Sequence, residues 1–229
     1  MRRTIQLAAL TIAFTAASLC AQIHFPGHTK KPQGEDLTWF TPYASPDPGG
    51  RAEELIHDPR FKPFLRDHLT APQRFWNENQ SLADTVYEFL STPGAVVLTD
   101  NRFFTVDGSV PDFSPDRGLL FIDLGAAHPF IAFAAIDWTK ESKTTDDAGA
   151  SYSLWLFSTR DLDTASDADA TRIPAALKQA LARWSAVALD TTGKPQIITD
   201  AILVGPDGTP HRVPPATLGI TATQDKAKS

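Results

Sequence analysis

The sequence predicts an α+β fold, an antiparallel β-meander packed by a few helices. Three observations carry this. First, residues 95–138 hold apolar runs of strand length, rich in Val, Ile and Phe, and bounded by Asp, Asn, Gly and Pro. Second, in 130–138 both alternating faces are apolar: Phe130, Ala132, Ala134, Ile136 and Trp138 on one, Ile131, Phe133 and Ala135 on the other. A strand of this kind is central, with both faces covered. Third, apolar stripes at helical spacing flank the strand region: Phe61, Phe64, Leu65 and Leu69 before it, and Leu177, Leu181, Trp184 and Ala188 after it.

The elements follow in order. Residues 22–50 are rich in Pro, Gly, Lys and His with no apolar period, which predicts an extended arm, with Trp39 and Phe40 docking on the body. The α+β domain spans 51–213. It opens with a short helix over 51–57. Asp58-Pro59 then caps and starts the helix that ends at Leu69. Thr70-Ala71-Pro72 breaks it, and Phe75 and Trp76 pack under the sheet. Ser81, with Asp84 three residues on, starts a helix that runs to Leu90 and stops at Pro93-Gly94. A hairpin is predicted over 96–106, turning at Thr99-Asp100-Asn101, and strands over 119–124, 130–138 and 152–157. Pro174 opens an amphipathic helix to Val187, and 197–204 with 211–213 form a closing hairpin. Residues 214–229 read as a disordered tail.

Arg2 and Arg3, an uncharged run over 5–19 and then Leu19-Cys20-Ala21 follow the plan of a secretory signal peptide, 1–21, cleaved after Ala21. The run is too short for a transmembrane span, no second one follows, and the expected location is periplasmic or secreted. Cleavage removes the single Cys, which excludes disulfides, thiol nucleophiles and cysteine ligands. Lys+Arg fall from 21 to 19 against 27 Asp+Glu, so the net charge moves from −6 to −8. Such a chain is a poor nucleic-acid binder and is attracted to a basic partner.

One connection is longer than a hairpin requires. Residues 107–117 read Asp-Gly-Ser-Val-Pro-Asp-Phe-Ser-Pro-Asp-Arg, where two to five loop residues would suffice. A long, proline-stiffened loop on a rigid sheet is a usual place for binding. The candidate partner-binding residues are Ser109, Val110, Pro111, Asp112, Phe113 and Ser114. An alternative reading makes the loop acids Asp112 and Asp116 the paired carboxylates of an enzyme acting on a cell-wall polymer. A simpler one pairs Asp112 with Arg117 to fix the loop. A third leaves a structural envelope protein without catalytic activity. His24 with His28, and Asp161, Asp163, Asp167 and Asp169, are weak metal patterns that lack a third ligand and the EF-hand Gly and Glu respectively, and no cofactor is expected.

The order of elements over 61–157, the segment Leu69-Thr70-Ala71-Pro72-Gln73-Arg74-Phe75-Trp76 and the hairpin leading into Ser109-Val110-Pro111-Asp112-Phe113-Ser114 resemble the Ivy family, inhibitors of vertebrate-type lysozyme. In that family the matching loop is Cys-Lys-Pro-His-Asp-Cys, closed by a disulfide, and its His enters the lysozyme cleft. The resemblance implies a non-enzymatic binding protein whose loop docks a basic secreted protein such as a lysozyme-like enzyme. Here both Cys are Ser, and Asp112 stands where the family has His. A carboxylate aimed at catalytic carboxylates meets repulsion. The resemblance therefore implies the architecture more than lysozyme inhibition itself.

Overall fold

The computed structural model describes residues 35–44, 49–125, 129–139, 150–166, 168 and 171–221. A 3-10 helix, Thr38–Tyr43, leads into α1 (Ala52–His57), α2 (Phe61–His68) and α3 (Leu82–Phe89). Then come β1 (Thr92–Thr99), β2 (Phe103–Val110), β3 (Phe113–Asp123), β4 (Phe130–Trp138) and β5 (Ser151–Ser158). The chain continues with α4 (Ala175–Ser185), β6 (Ile197–Val204), β7 (Pro210–Val213) and a second 3-10 turn, Pro215–Leu218. The seven strands lie in the sheet in chain order. Neighbours are antiparallel except β5 and β6, which run parallel. Parallel strands cannot be joined by a tight turn, and α4 lies in the crossover between these two.

The local starts are chemical. At α3, the Asp84 N–H donates to the Ser81 hydroxyl at 3.1 Å, which satisfies one of the open donors of the first turn. In α2, Pro63 sits within the first turn, where its missing N–H would have no intrahelical partner. At the β1–β2 turn, Asp100 and Asn101 both take positive φ (55° and 52°), as the tight hairpin turns require.

The sheet is buried on both sides, and β4 shows why. Ile131, Phe133 and Ala135 join Phe64, Leu65, Val86, Phe89 and Phe104 in one core. Phe130, Ala132, Ala134 and Ile136 join Leu177, Leu181 and Trp184 in the other. The strand predicted as central is fourth of seven, and Phe130 to Ile136 are all buried. Each fully buried large side chain contributes roughly 1.5–3 kcal/mol through burial. Phe75 stacks on Trp155 with ring centroids 5.4 Å apart, as a ring packed under the sheet should.

Two expectations need correction. The arm over 22–50 is not extended where it is described. Its 3-10 helix seats Phe40, fully buried, against Phe64 at 4.9 Å and Phe104 at 5.0 Å. The docking expected at Phe40 is therefore seen, and only the extended form of the described part of the arm is corrected. The tail over 214–229 is likewise ordered as far as it is described. Leu218 and Ile220 are buried in the α4-side core, and they supply the apolar anchors that disorder would lack. The expected signal peptide lies outside the described residues, as do His24 and His28. Among the described residues no helix is long and apolar enough to cross a membrane.

Candidate functional site

Where the sequence predicts a long loop over 107–117, the chain instead continues both strands. Asp107 pairs with Leu119, Gly108 with Gly118, and Ser109 with Arg117. The ladder closes at Val110 opposite Phe113, leaving only Pro111 and Asp112 in the turn. Asp112 takes φ 64°, and a proline followed by a positive-φ residue is the pattern of a type II turn. The register shifts between Ser109 and Val110, so Ser114, Pro115 and Asp116 bulge from β3. The bulge absorbs the residues that read as loop.

Gly108 and Gly118 mark close backbone approach rather than a turn. A Cβ at Gly108 would lie 2.9 Å from the Leu90 Cα, and one at Gly118 would lie 2.8 Å from the Phe89 Cβ. The two face each other where the end of α3 crosses the hairpin.

The six candidate residues divide by depth. Val110 is buried in the core on the α3 side, and Ser109 is half-buried. Pro111, Asp112, Phe113 and Ser114 are exposed at the tip. Phe113 is 60% exposed, the highest figure among the exposed large apolar side chains described. The tip is held from below. The Gln196 side-chain amide donates to the Pro115 carbonyl at 2.6 Å.

Arg117, 8% exposed, donates to the Trp184 and Val187 carbonyls at 2.6 and 3.0 Å. These carbonyls belong to the end of α4, where a cation also complements the helix dipole. The guanidinium carbon lies 5.1 Å from the Trp184 ring centroid. Asp107 accepts a hydrogen bond from the Ala95 N–H. Burial pushes the Asp107 carboxyl up, and the Ala95 N–H and then Arg117 partly offset that rise. Burial pushes Arg117 down, and Asp107 opposes it. Two crevices of about 260 and 180 Å³ meet at Asp107, Trp184 and Val187. Neither Asp107 nor Trp184 was a candidate from sequence. The missed signal was a charged residue beside each of the two facing glycines.

The other candidates are not brought together. Asp112 is exposed at the tip, whereas Asp116 is 6% exposed within the bulge, so the two do not open onto a common cleft. Asp112 does not fix the loop through Arg117, whose hydrogen bonds go to the carbonyls of α4. Of the four aspartates in the acidic stretch, Asp167 and Asp169 lie outside the described residues. Among the described residues, no group of three or more His, Cys, Asp or Glu is placed to hold a metal ion. Comparison with protein-family models, with curated proteins and with solved structures gives no match to this chain.

Proposed function

We propose that the chain is an exported, non-catalytic binding protein that docks a partner protein through the tip of the β2–β3 hairpin. The observation that carries this is Phe113. A large aromatic ring, 60% exposed, costs stability in isolation but supplies a rigid anchor at an interface. It stands on a hairpin whose base is fixed to α4 through Arg117 and, through Gln196, to the residue that precedes β6. A tip that is already ordered loses little entropy on binding. The resemblance to the Ivy family supports the same element. Ser109 and Ser114 flank the Val110–Phe113 pair, so strand pairing narrows the tip where that family has a disulfide. An acidic chain favours a basic secreted partner, such as a lysozyme-like enzyme.

Phe113→Ser tests the reading. Both proteins are used as bait on the secreted and envelope proteins of the source cells. The variant should keep the wild-type melting temperature within a few degrees, because the ring is exposed. It should lose the main captured partner, with affinity falling about tenfold or more. Equal capture by the two baits would refute the role of the tip.

Vertebrate-type lysozyme serves as a second probe. Inhibition by the wild type should be weak, and salt should screen it, because Asp112 brings negative charge toward an acidic cleft. Tight, salt-insensitive inhibition would show that the aspartate is no obstacle.

A further inference from the structure

At the opposite end of β2 from the tip, a crevice of about 780 Å³ opens between the sheet and the start of α4. Its volume is within the ordinary range for small-molecule sites, roughly 300–1,000 Å³. Arg102, Arg160 and Arg172 line it, with Thr159 and Gln179. Asp100 and Asp123 line it too, so the crevice carries one more cation than carboxylates in a chain of net charge −6.

The carboxylates on this crevice do not cancel all three. Asp123 is engaged by Arg102 in a two-bond fork, at 2.7 and 2.8 Å. Asp100 sits at the exposed β1–β2 turn. Arg160 has no carboxylate within ion-pair distance among the described residues. Its guanidinium carbon lies 4.3 Å from the Phe130 ring centroid. One Nη donates to the Arg172 carbonyl at 3.3 Å, and the buried Nε has no acceptor. That Nε is closed off, so a ligand in the crevice meets the half-buried Arg160 through its Nη groups, and an oxyanion is the acceptor that best matches them.

The surroundings hold this cation in place. Arg102 stacks over Phe103 at 4.9 Å, and Phe103, Phe121 and Phe130 form a row with centroids 5.8 and 6.0 Å apart. The two guanidiniums are thus laid on the two ends of one aromatic row. Ala175 and Ala176, the first residues of α4, line the same crevice, and no side chain caps that helix. Their N–H groups add donors to a site that Arg160 already makes cationic.

We propose that this crevice binds a small molecule through a phosphate or carboxylate group, with Arg160 as the main recognition residue. The site is separate from the hairpin tip. The eight residues of β2 between them span roughly 25 Å at strand rise.

The test titrates the mature chain with inorganic phosphate and, separately, with succinate at constant ionic strength, with chloride as the reference. Binding is read by calorimetry and by backbone amide shifts. One of the two probes should bind, and the amides of Ala175 and Ala176 should move; which probe it is separates phosphate from carboxylate recognition. Arg160→Gln should weaken that binding at least tenfold, whereas Arg74→Gln, an exposed arginine elsewhere, should not. Absence of binding by both probes at millimolar concentration would overturn the proposal. So would amide shifts spread over other arginines, or undiminished binding by Arg160→Gln. If that variant fails to fold, the amide map of the wild type alone decides.

Discussion

Phe133→Asp should abolish cooperative unfolding. Phe133 lies in the middle of β4, fully buried, paired with Leu120 on one side and Phe157 on the other. Its ring meets Phe89 of α3 edge-on at 6.0 Å. The substitution loses the burial and packing of a large aromatic, about 3–5 kcal/mol. It also forces a carboxylate into a core of Val86, Phe89, Leu120 and Ile131 with no cation among them. Together these approach the whole stability of a domain, about 5–15 kcal/mol. Position 133 is a cleaner probe than its neighbour 136. The β3–β4 register places Ile136 opposite Arg117, where a new aspartate could find a buried guanidinium. The expected result is loss of the sigmoidal melt by circular dichroism and collapse of amide-shift dispersion. A cooperative melt within a few degrees of wild type would mean that β4 is not sandwiched between two helical layers.

Strand β4 was legible because both sides of the sheet are covered. Its apolar residues therefore run without interruption, and alternation assigns each one to a core. The helices were legible for the same reason, since Leu177, Leu181 and Trp184 repeat at the spacing that a single buried face imposes. The crossover was not legible. Nothing in 197–204 distinguishes a strand that pairs parallel with β5 from one that begins a separate hairpin, because the pairing partner is set by how α4 packs.

The hairpin misled for a physical reason. Gly108, Pro111, Pro115, Gly118 and three aspartates over 107–118 look like loop chemistry. Two of those residues are glycines because α3 crosses there, and the charged residues beside them, Asp107 and Arg117, point to a junction with α4 that lies 67 or more residues away in sequence. A buried arginine whose acceptors are helix-end carbonyls leaves no local pattern. Of the six candidate residues, Pro111, Asp112, Phe113 and Ser114 stand exposed at the turn, whereas Val110 is buried and Ser109 half-buried. The length of the loop was overestimated, because a bulge and a loop have the same composition.

That junction yields the second large effect. Arg117→Met keeps most of the side-chain volume and removes the charge and the donors. The Val187 carbonyl loses its guanidinium donor, the Trp184 carbonyl keeps the Val187 N–H at 3.2 Å, and Asp107 loses the cation that, after the Ala95 N–H, offsets its burial. Each hydrogen bond of a buried charged donor contributes roughly 1.5–3 kcal/mol, and two are lost. For a domain of this size that lowers the melting temperature by about 10 °C. The loss should depend on pH in a defined direction. Asp107 already has its carboxyl pushed up in the folded chain, and without Arg117 it moves higher. A group that is harder to ionise when folded penalises the folded state as pH rises from the unfolded value, near 3.9, to the folded one. Below that window the carboxyl is neutral in both states and the penalty is gone. The gap between wild type and Arg117→Met should therefore be wider at pH 7.5 than at pH 3.5, below the unfolded value. Adding Asp107→Asn to Arg117→Met should recover part of the stability at pH 7.5 and little at pH 3.5. The measurement is a set of urea melts of wild type, both single variants and the double variant at the two pH values, read as a double-mutant cycle. A deficit independent of pH, with no recovery in the double variant, would assign the whole effect to the two α4 carbonyls and leave Asp107 without a part in holding the hairpin to the helix.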